Sequence, residues 1–348
     1  MTPTPTIAIA SNAGTISGAE TMLLAIADGM RVLGHRPLVI GPASPSGLVD
    51  RAAAHGFDTH PVPAATTRAY QRGLAAWRLR NLRIPLWCNG PVPAAATIGM
   101  GRRIIEMQDL PVTMSGAQAR IVTVGADRVI VPSAFMAARI PGGHVMMNWT
   151  EDLPFMPREL PADGPLTLGF MGRLTPEKGL DVLLDAVHIL NDRLGGDYRL
   201  VIAGDDIGDD ADFRSLQRQL SALGDRVELA GRLSREEFRT RVDLAVIPSV
   251  APESFGLVAA EALAMGLPVV VSDAGALPEV MGEMHPWIAR SGDASALADA
   301  IRGAVSATPV QHTAMVQEGR DRWEEMFSPR AGHRRLRRLL LNPGIAHV

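Results

Sequence analysis

Apolar positions along the chain alternate between short unbroken runs and longer stretches of helical spacing. Thr6-Ile7-Ala8-Ile9-Ala10 is an apolar run of strand length. A loop spans residues 11–17, and from Gly18 to Leu33 apolar residues recur at Met22, Leu23, Ile26, Ala27, Met30 and Leu33, one face of a helix. Gly34 follows as a stop signal, and residues 37–41 form the next apolar run. Strand, helix and strand in this order predict a parallel pair with a crossover helix. Residues 103–107 and 127–133 read as further strands.

The alternation restarts later in the chain. Residues 166–171, 199–203, 227–229, 244–248 and 268–272 are predicted strands, with helices near 179–193, 211–223, 235–241 and 256–265. Between the two sets, residues 148–164 carry Pro154, Pro157 and Pro161, with Pro165 just beyond, and the interdomain linker is placed there. Residues 310–341 read as two helices. The expected fold class is therefore α/β: two Rossmann-like doubly wound domains, residues 1–155 and 156–325, followed by a C-terminal helical segment, 326–348, that packs back on the first. Two such domains facing each other leave a cleft at their strand C-terminal ends, where ligands of open α/β sheets bind.

Composition narrows the classes. The 348 residues suffice for two cores. No apolar run reaches transmembrane length, and the first residues lack the basic start and apolar stretch of a signal peptide. A single cysteine, Cys88, excludes a disulfide framework or a cysteine-built zinc site within one chain, and a reducing, cytosolic compartment is the expectation. A net charge of −3 argues against a general nucleic-acid binder. Of 34 basic residues only Lys178 is a lysine, which hints at a position that needs a compact ammonium rather than a guanidinium fork.

Two charge patterns have competing readings. Arg68, Arg72, Arg78, Arg80 and Arg83 are interleaved with Tyr70, Leu74, Trp77 and Leu79, and no Asp or Glu occurs from Thr59 to Ile105. The plainer reading is a helix with a solvated arginine face; the sharper one is a basic amphipathic patch for an anionic acceptor or a membrane surface. The acidic stretch 204–210 reads as a solvated loop in preference to a metal site, because hard cations need several converging oxygens.

Four segments that follow strands of the second half carry candidate chemistry. Gly172-Arg173-Leu174-Thr175-Pro176-Glu177-Lys178-Gly179 offers two cations five residues apart, suited to a diphosphate that gains negative charge as its bond to a sugar breaks. In Glu253-Ser254-Phe255-Gly256-Leu257-Val258-Ala259-Ala260-Glu261, seven residues separate two glutamates. A helix starting at Phe255-Gly256-Leu257 turns its free amides toward whatever precedes it, a setting that binds phosphate. Glu261 then lies about 8 Å further along the helix, in an apolar setting that few glutamates occupy. Gly231-Arg232-Leu233-Ser234 can present backbone groups to a base, and residues 273–279 make a further loop-to-helix entry.

With these pieces in place, residues 169–283 resemble the retaining family 4 glycosyltransferases of GT-B fold. The resemblance rests on GRLTPEKG, AGRLSREEF, PESFGLVAAEALAMGLPVV and GALPEV, and more loosely on SGAETMLLAIADGMRVLGH near the start. It implies hexosyl transfer from a nucleoside-diphosphate sugar, UDP-linked by family preference, to a hydroxyl of a small-molecule or lipid-linked acceptor. No cofactor or metal is implied beyond that co-substrate. By the same resemblance Arg173 and Lys178 hold the diphosphate, Glu253 contacts the transferred sugar, and Phe255, Gly256 and Leu257 supply amides. Glu261 binds the ribose, Arg232 and Leu233 frame the base, and Gly14 and Gly18 let the backbone approach the phosphates. One departure stands out: Gln108 occupies the position where the family carries a histidine. Glutamine hydrogen-bonds a hydroxyl but takes no proton. Transfer on the donor face does not require a protein base there, because the leaving phosphate oxygen can accept the acceptor's proton.

Other classes are weighed against this one. A nicotinamide dehydrogenase is discounted: residues 12–18 are not GxGxxG, and the second strand ends at Gly41-Pro42 with no acid for a ribose. A nucleotide-sugar epimerase of the same architecture would turn over donor without acceptor. A non-catalytic nucleotide-sugar binder is the third reading, prompted by Gln108.

Overall fold

Each strand-length apolar run is followed by a helix that carries the chain back to the same end, so all strands pair in parallel. The computed structural model describes residues 4–109, 116–161, 164–204, 211–282 and 284–341, with the backbone alone at 116–117 and 211–215. By its internal contacts the chain divides into two units. One runs to Glu151 and resumes at Met326; the other is Asp152–Glu325.

The first unit contains β1 (Thr6–Ala10), α1 (Gly18–Val32), β2 (Arg36–Pro42), α2 (Gly47–Ala54), β3 (Asp58–Val62), α3 (Thr67–Arg80), β4 (Leu86–Asn89), α4 (Pro91–Ala96), β5 (Arg103–Glu106), α5 (Gly116–Thr123), β6 (Arg128–Val131), α6 (Ala134–Ala137) and β7 (Gly143–Val145). Its seven strands lie in the order β3-β2-β1-β4-β5-β6-β7. Alternation along each strand separates two cores. Ala8, Cys88, Ile105 and Val129 face α3 residues such as Leu74 and Trp77, while Ile9, Trp87 and Ile130 face α1 residues such as Leu23 and Ile26.

The second unit contains β8 (Leu166–Met171), α7 (Leu180–His188), β9 (Tyr198–Ala203), α8 (Ala211–Leu223), β10 (Val227–Gly231), α9 (Arg235–Arg241), β11 (Leu244–Ile247), α10 (Leu257–Met265), β12 (Val269–Ser272), α11 (Leu277–Met281), β13 (Ile288–Ala289), α12 (Ala294–Val305) and α13 (Pro309–Met326). Its six strands lie in the order β10-β9-β8-β11-β12-β13. Leu168, Phe170, Leu200 and Val246 pack under Leu183, Leu184 and Ile301. The helix expected over 179–193 is present as α7 continuing directly into a π turn (Ile189–Arg193), and a 3-10 turn (Pro176–Lys178) precedes it, set apart by Gly179 at φ +69.

The last helix, α14 (Pro329–Leu341), belongs to the first unit. It lies across α1 so closely that a Cβ on Gly29 would stand 2.9 Å from Leu336, and Trp149 covers Gly332. Of the predicted segment 326–348, residues beyond Leu341 lie outside the described ones. No helix among the described residues is long and apolar enough to cross a membrane.

The arginine run departs from a uniformly solvated face. Arg68, Arg72, Arg80 and Arg83 are exposed, but Arg78 is fully buried. Its guanidinium donates to the carbonyls of Met100 (2.7 Å), Asn81 (3.1 Å), Arg102 (3.0 Å) and Ile84, closing the turn between α3 and β4 against the turn before β5.

Candidate donor site

In a parallel sheet every loop that leaves a strand's C-terminal end lies on one edge, and the second unit gathers its candidate residues there. Backbone hydrogen bonds lace these loops together. Gly172 N donates to Ala203 O and Gly204 N to Gly231 O, each near 3.0 Å, fixing the turns after β8, β9 and β10 side by side. Val250 and Ala251 donate to Glu177 O at 2.9 and 3.0 Å, and Ala276 donates to Glu253 O at 2.9 Å, extending the lacing to the loops after β11 and β12. Two glycines permit this closeness. A Cβ on Gly179 would meet Pro248 O at 2.0 Å, and one on Gly275 would meet Glu253 O at 2.3 Å; both have positive φ.

Within this frame Lys178 and Glu253, 75 residues apart, form a 2.6 Å ion pair. Ser249 Oγ donates to the same carboxylate oxygen at 2.6 Å. The pair is largely shielded, with side-chain exposures of 27% and 16%, so its geometry is more firmly held than that of a surface pair. Arg173 is exposed and forms no ion pair or side-chain hydrogen bond among the described residues. The edge therefore presents one anchored ammonium and one uncommitted guanidinium.

Gly256, at φ +105, is the N-cap of α10, with no side chain to cap the helix. The first amides of α10, at Leu257 and Val258, have no partner within the helix, and the dipole adds positive potential beside them. Phe255 is buried at 3% exposure and anchors the turn. Glu261, at 5% exposure, is held by Arg235 Nη2 at 2.9 Å. Arg235 opens α9 directly after the Arg232-Leu233 loop, so this bond joins the two segments that the sequence assigns to base and ribose.

The other candidates belong to the first unit. Gly18 opens α1, and Gly14 lies in the preceding loop. A Cβ on Gly14 would stand 2.3 Å from Pro45 O, so packing against the loop after β2 already requires glycine there. The buried Glu20 accepts from Ser11 Oγ (3.2 Å), Ser17 N (3.2 Å) and Ser17 Oγ (2.5 Å), fixing the same loop. Gln108 is buried at the end of β5. Its Nε2 donates to Asn148 Oδ1 (2.9 Å) and to the Glu106 carboxylate, and its Oε1 accepts from Asn148 Nδ2 (2.8 Å). Both N–H groups are thus committed, and only an acceptor lone pair remains. Glu106 also accepts from Trp87 Nε1 at 2.6 Å. Burial pushes its carboxyl up to about 7, against the pull of those two hydrogen bonds.

Sequence reasoning missed Ser249, Arg235, Glu106, Asn148 and Asn89. Asn89, buried at the end of β4, leaves its Oδ1 without a partner among the described residues. A carboxylate at the last position of an apolar strand run, as in Ile104-Ile105-Glu106, was the available signal for Glu106. The acidic stretch 205–210 lies outside the described residues.

Residues 165–306 match the family described as glycosyl transferases group 1. The chain is 29% identical over 303 residues to a GDP-mannose-dependent alpha-mannosyltransferase of Mycobacterium tuberculosis, covering 75% of this chain and 76% of that one. It is 32% identical over 211 residues to a D-inositol 3-phosphate glycosyltransferase of Stackebrandtia nassauensis, covering 56% of this chain but only 45% of that one. In three dimensions it is similar to Anabaena HepE, solved in complex with UDP, at TM-score 0.79 and 21% identity over 97% of this chain and 100% of that one. It is similar also to sucrose-phosphate synthase of Thermosynechococcus elongatus, at TM-score 0.80 and 20% identity over 97% and 98%. The two parallel-sheet units are those of the GT-B glycosyltransferase fold.

Proposed function

Given that residues 165–306 form a glycosyl transferases group 1 domain, we propose that the chain moves a hexose from a nucleoside-diphosphate sugar to an acceptor hydroxyl, with retention at the anomeric carbon. The observation that carries the reading is the Lys178–Glu253 pair, laced beside the uncapped start of α10.

As the bond from the sugar to the diphosphate oxygen breaks, negative charge accumulates on the leaving group. Arg173, Lys178 and the amides at Leu257 and Val258 are the groups on this edge that stabilise it. Glu253, fixed by Ser249, holds the sugar's hydroxyls and keeps the ammonium in place before donor arrives. Glu261, oriented by Arg235, takes the ribose hydroxyls, and the Arg232-Leu233 loop frames the base. The acceptor's proton passes to the departing phosphate oxygen, consistent with Gln108 being unable to receive it. UDP is the proposed carrier and GDP its rival, since a relative is named for GDP-mannose. No metal is assigned a role.

A thermal-shift screen against UDP, GDP, TDP, ADP and NAD, each with and without EDTA, tests the donor site. A diphosphate bound at about 100 times its dissociation constant adds roughly 2.7 kcal/mol. A rise with one nucleoside diphosphate, unchanged by EDTA, supports the reading and names the base; a rise with NAD alone overturns it. Donor consumed without any acceptor would assign the site to epimerisation instead.

A further inference from the structure

We propose that the first unit carries, at the edge of its sheet opposite the strand C-terminal ends, a docking surface for an anionic lipid bilayer. The topology gathers this surface. The connections from α3 to β4, from α4 to β5 and from α5 to β6 all enter adjacent parallel strands, so they lie side by side on the N-terminal edge. Two buried arginines knit them together. Arg78 binds carbonyls of both the first and the second connection; Arg103 binds Ala94 O in α4 at 3.0 Å and Val124 O in the third.

What this edge exposes is both basic and aliphatic. Leu79, Leu82, Ile98, Ile121 and Val124 are exposed by 61, 45, 37, 59 and 57%. They account for a third of the fifteen exposed large hydrophobics among the described residues, at three neighbouring connections and the last turns of α3 and α5 that lead into them. Leu79-Arg80, Leu82-Arg83 and Arg120-Ile121 each place an exposed aliphatic residue next in sequence to an exposed arginine. The last turn of α14 joins the same edge. Leu339 and Leu340 line a cavity of about 220 Å³ with Pro5, Pro85, Arg102 and Asp127, leaving Arg337, Arg338 and Leu341 outside.

The charge on this edge is not balanced. Its carboxylates are already committed, Asp127 to Arg102 and Asp58 to Arg36. Arg80, Arg83, Arg120, Arg337 and Arg338 form no ion pair among the described residues. A polyanion in water would satisfy the guanidiniums and leave the aliphatic side chains wet. An anionic bilayer takes both: headgroup phosphates meet the arginines while the leucines and isoleucines enter the acyl boundary. This selects the membrane arm of the two sharper readings of the arginine run. It also moves that arm away from Arg68 and Arg72, which lie at the other end of α3.

The test is co-sedimentation of the full chain with vesicles of phosphatidylcholine alone or mixed with phosphatidylglycerol. The wild type is expected to sediment with the anionic vesicles only, and less so as salt rises. Arg80→Ser with Arg83→Ser should lower partition about thirtyfold, at about 1 kcal/mol for each surface arginine. Leu79→Ser with Leu82→Ser should weaken binding at every salt concentration. Arg68→Ser with Arg72→Ser should leave it unchanged, and circular dichroism confirms that each variant folds. Wild-type protein that stays in the supernatant overturns the proposal. So does binding that Leu79→Ser with Leu82→Ser leaves intact while heparin displaces it, since that is a polyanion surface.

Discussion

Glu106 offers a stability measurement whose size follows from the structure. Its carboxylate is 2% exposed, and its hydrogen bonds come from Trp87 and Gln108, both neutral. Burial raises its folded-state pKa to about 7 from the ordinary carboxyl value of 4.5. The folded protein therefore holds this proton more tightly than the unfolded chain does. Stability is greatest below about pH 4.5 as far as this group is concerned, falls as pH rises through the window, and levels off above about pH 7. The difference corresponds to about 3 kcal/mol, most of which falls between about pH 5 and about pH 8. Other groups act in the opposite direction: His60, His285, His312 and His333 have pKa values lowered by burial, so they destabilise the fold as pH falls. The experiment is thus a difference. Urea unfolding of wild type and Glu106→Gln is measured across this range, and the two free-energy curves are subtracted. Glu106→Gln carries its own constant offset, because an amide N–H replaces an acceptor, but that offset has no slope. The wild type should lose about 2 to 3 kcal/mol relative to the variant from about pH 5 to about pH 8. Parallel curves would show that the carboxylate is not held against its desolvation, and the reasoning would fail.

Further expectations concern the donor edge and its supports. Lys178→Ala and Glu253→Ala should each lower turnover at least about tenfold, with circular dichroism unchanged, because each removes an interaction assigned to the transition state. Arg235→Ala should raise KM for donor several-fold and spare kcat, since Arg235 orients Glu261 rather than meeting the reacting bond; steady-state kinetics at saturating acceptor separate the two. Gly179→Ala should destabilise by roughly 1–3 kcal/mol in urea unfolding, because its φ is +69 and a Cβ would collide with Pro248 O. Arg78→Ala should cost about 3 kcal/mol or more, as four carbonyls lose a charged donor.

The parts legible in the sequence are those where local pattern and tertiary role coincide. β1, α1 and β2 announce themselves by period, and so do β8, β9 and β11, whose apolar runs are buried on both faces. β3 gave no such signal: Asp58-Thr59-His60-Pro61 is a polar edge strand, with proline tolerated because little pairs beyond it. β13 is two residues long, too short for a period to show. At the site, Lys178, Glu253 and Glu261 were readable as residue types in suggestive places. Their partners were not, because Arg235 and Ser249 matter only through contacts that the folded chain creates. Gln108 was recognised as a position, yet its commitment to Asn148 lies 40 residues away. Arg78 misled for the converse reason: a charge in a run of charges reads as surface, whereas carbonyls at four loop positions make burial tolerable.

The return of α14 to the first unit bears on the order in which this chain can mature. Trp149 packs over Gly332, and Leu336 is fully buried in the core that α1 helps to build. As the polypeptide leaves the ribosome, the first unit to appear is the last that can be completed. Until residues beyond Met326 emerge, α1 and Trp149 lack the helix that packs on them, while the unit between Asp152 and Glu325 is continuous in sequence. The unit that comes first along the sequence thus waits, with α1 and Trp149 partly uncovered, until the other unit has been passed.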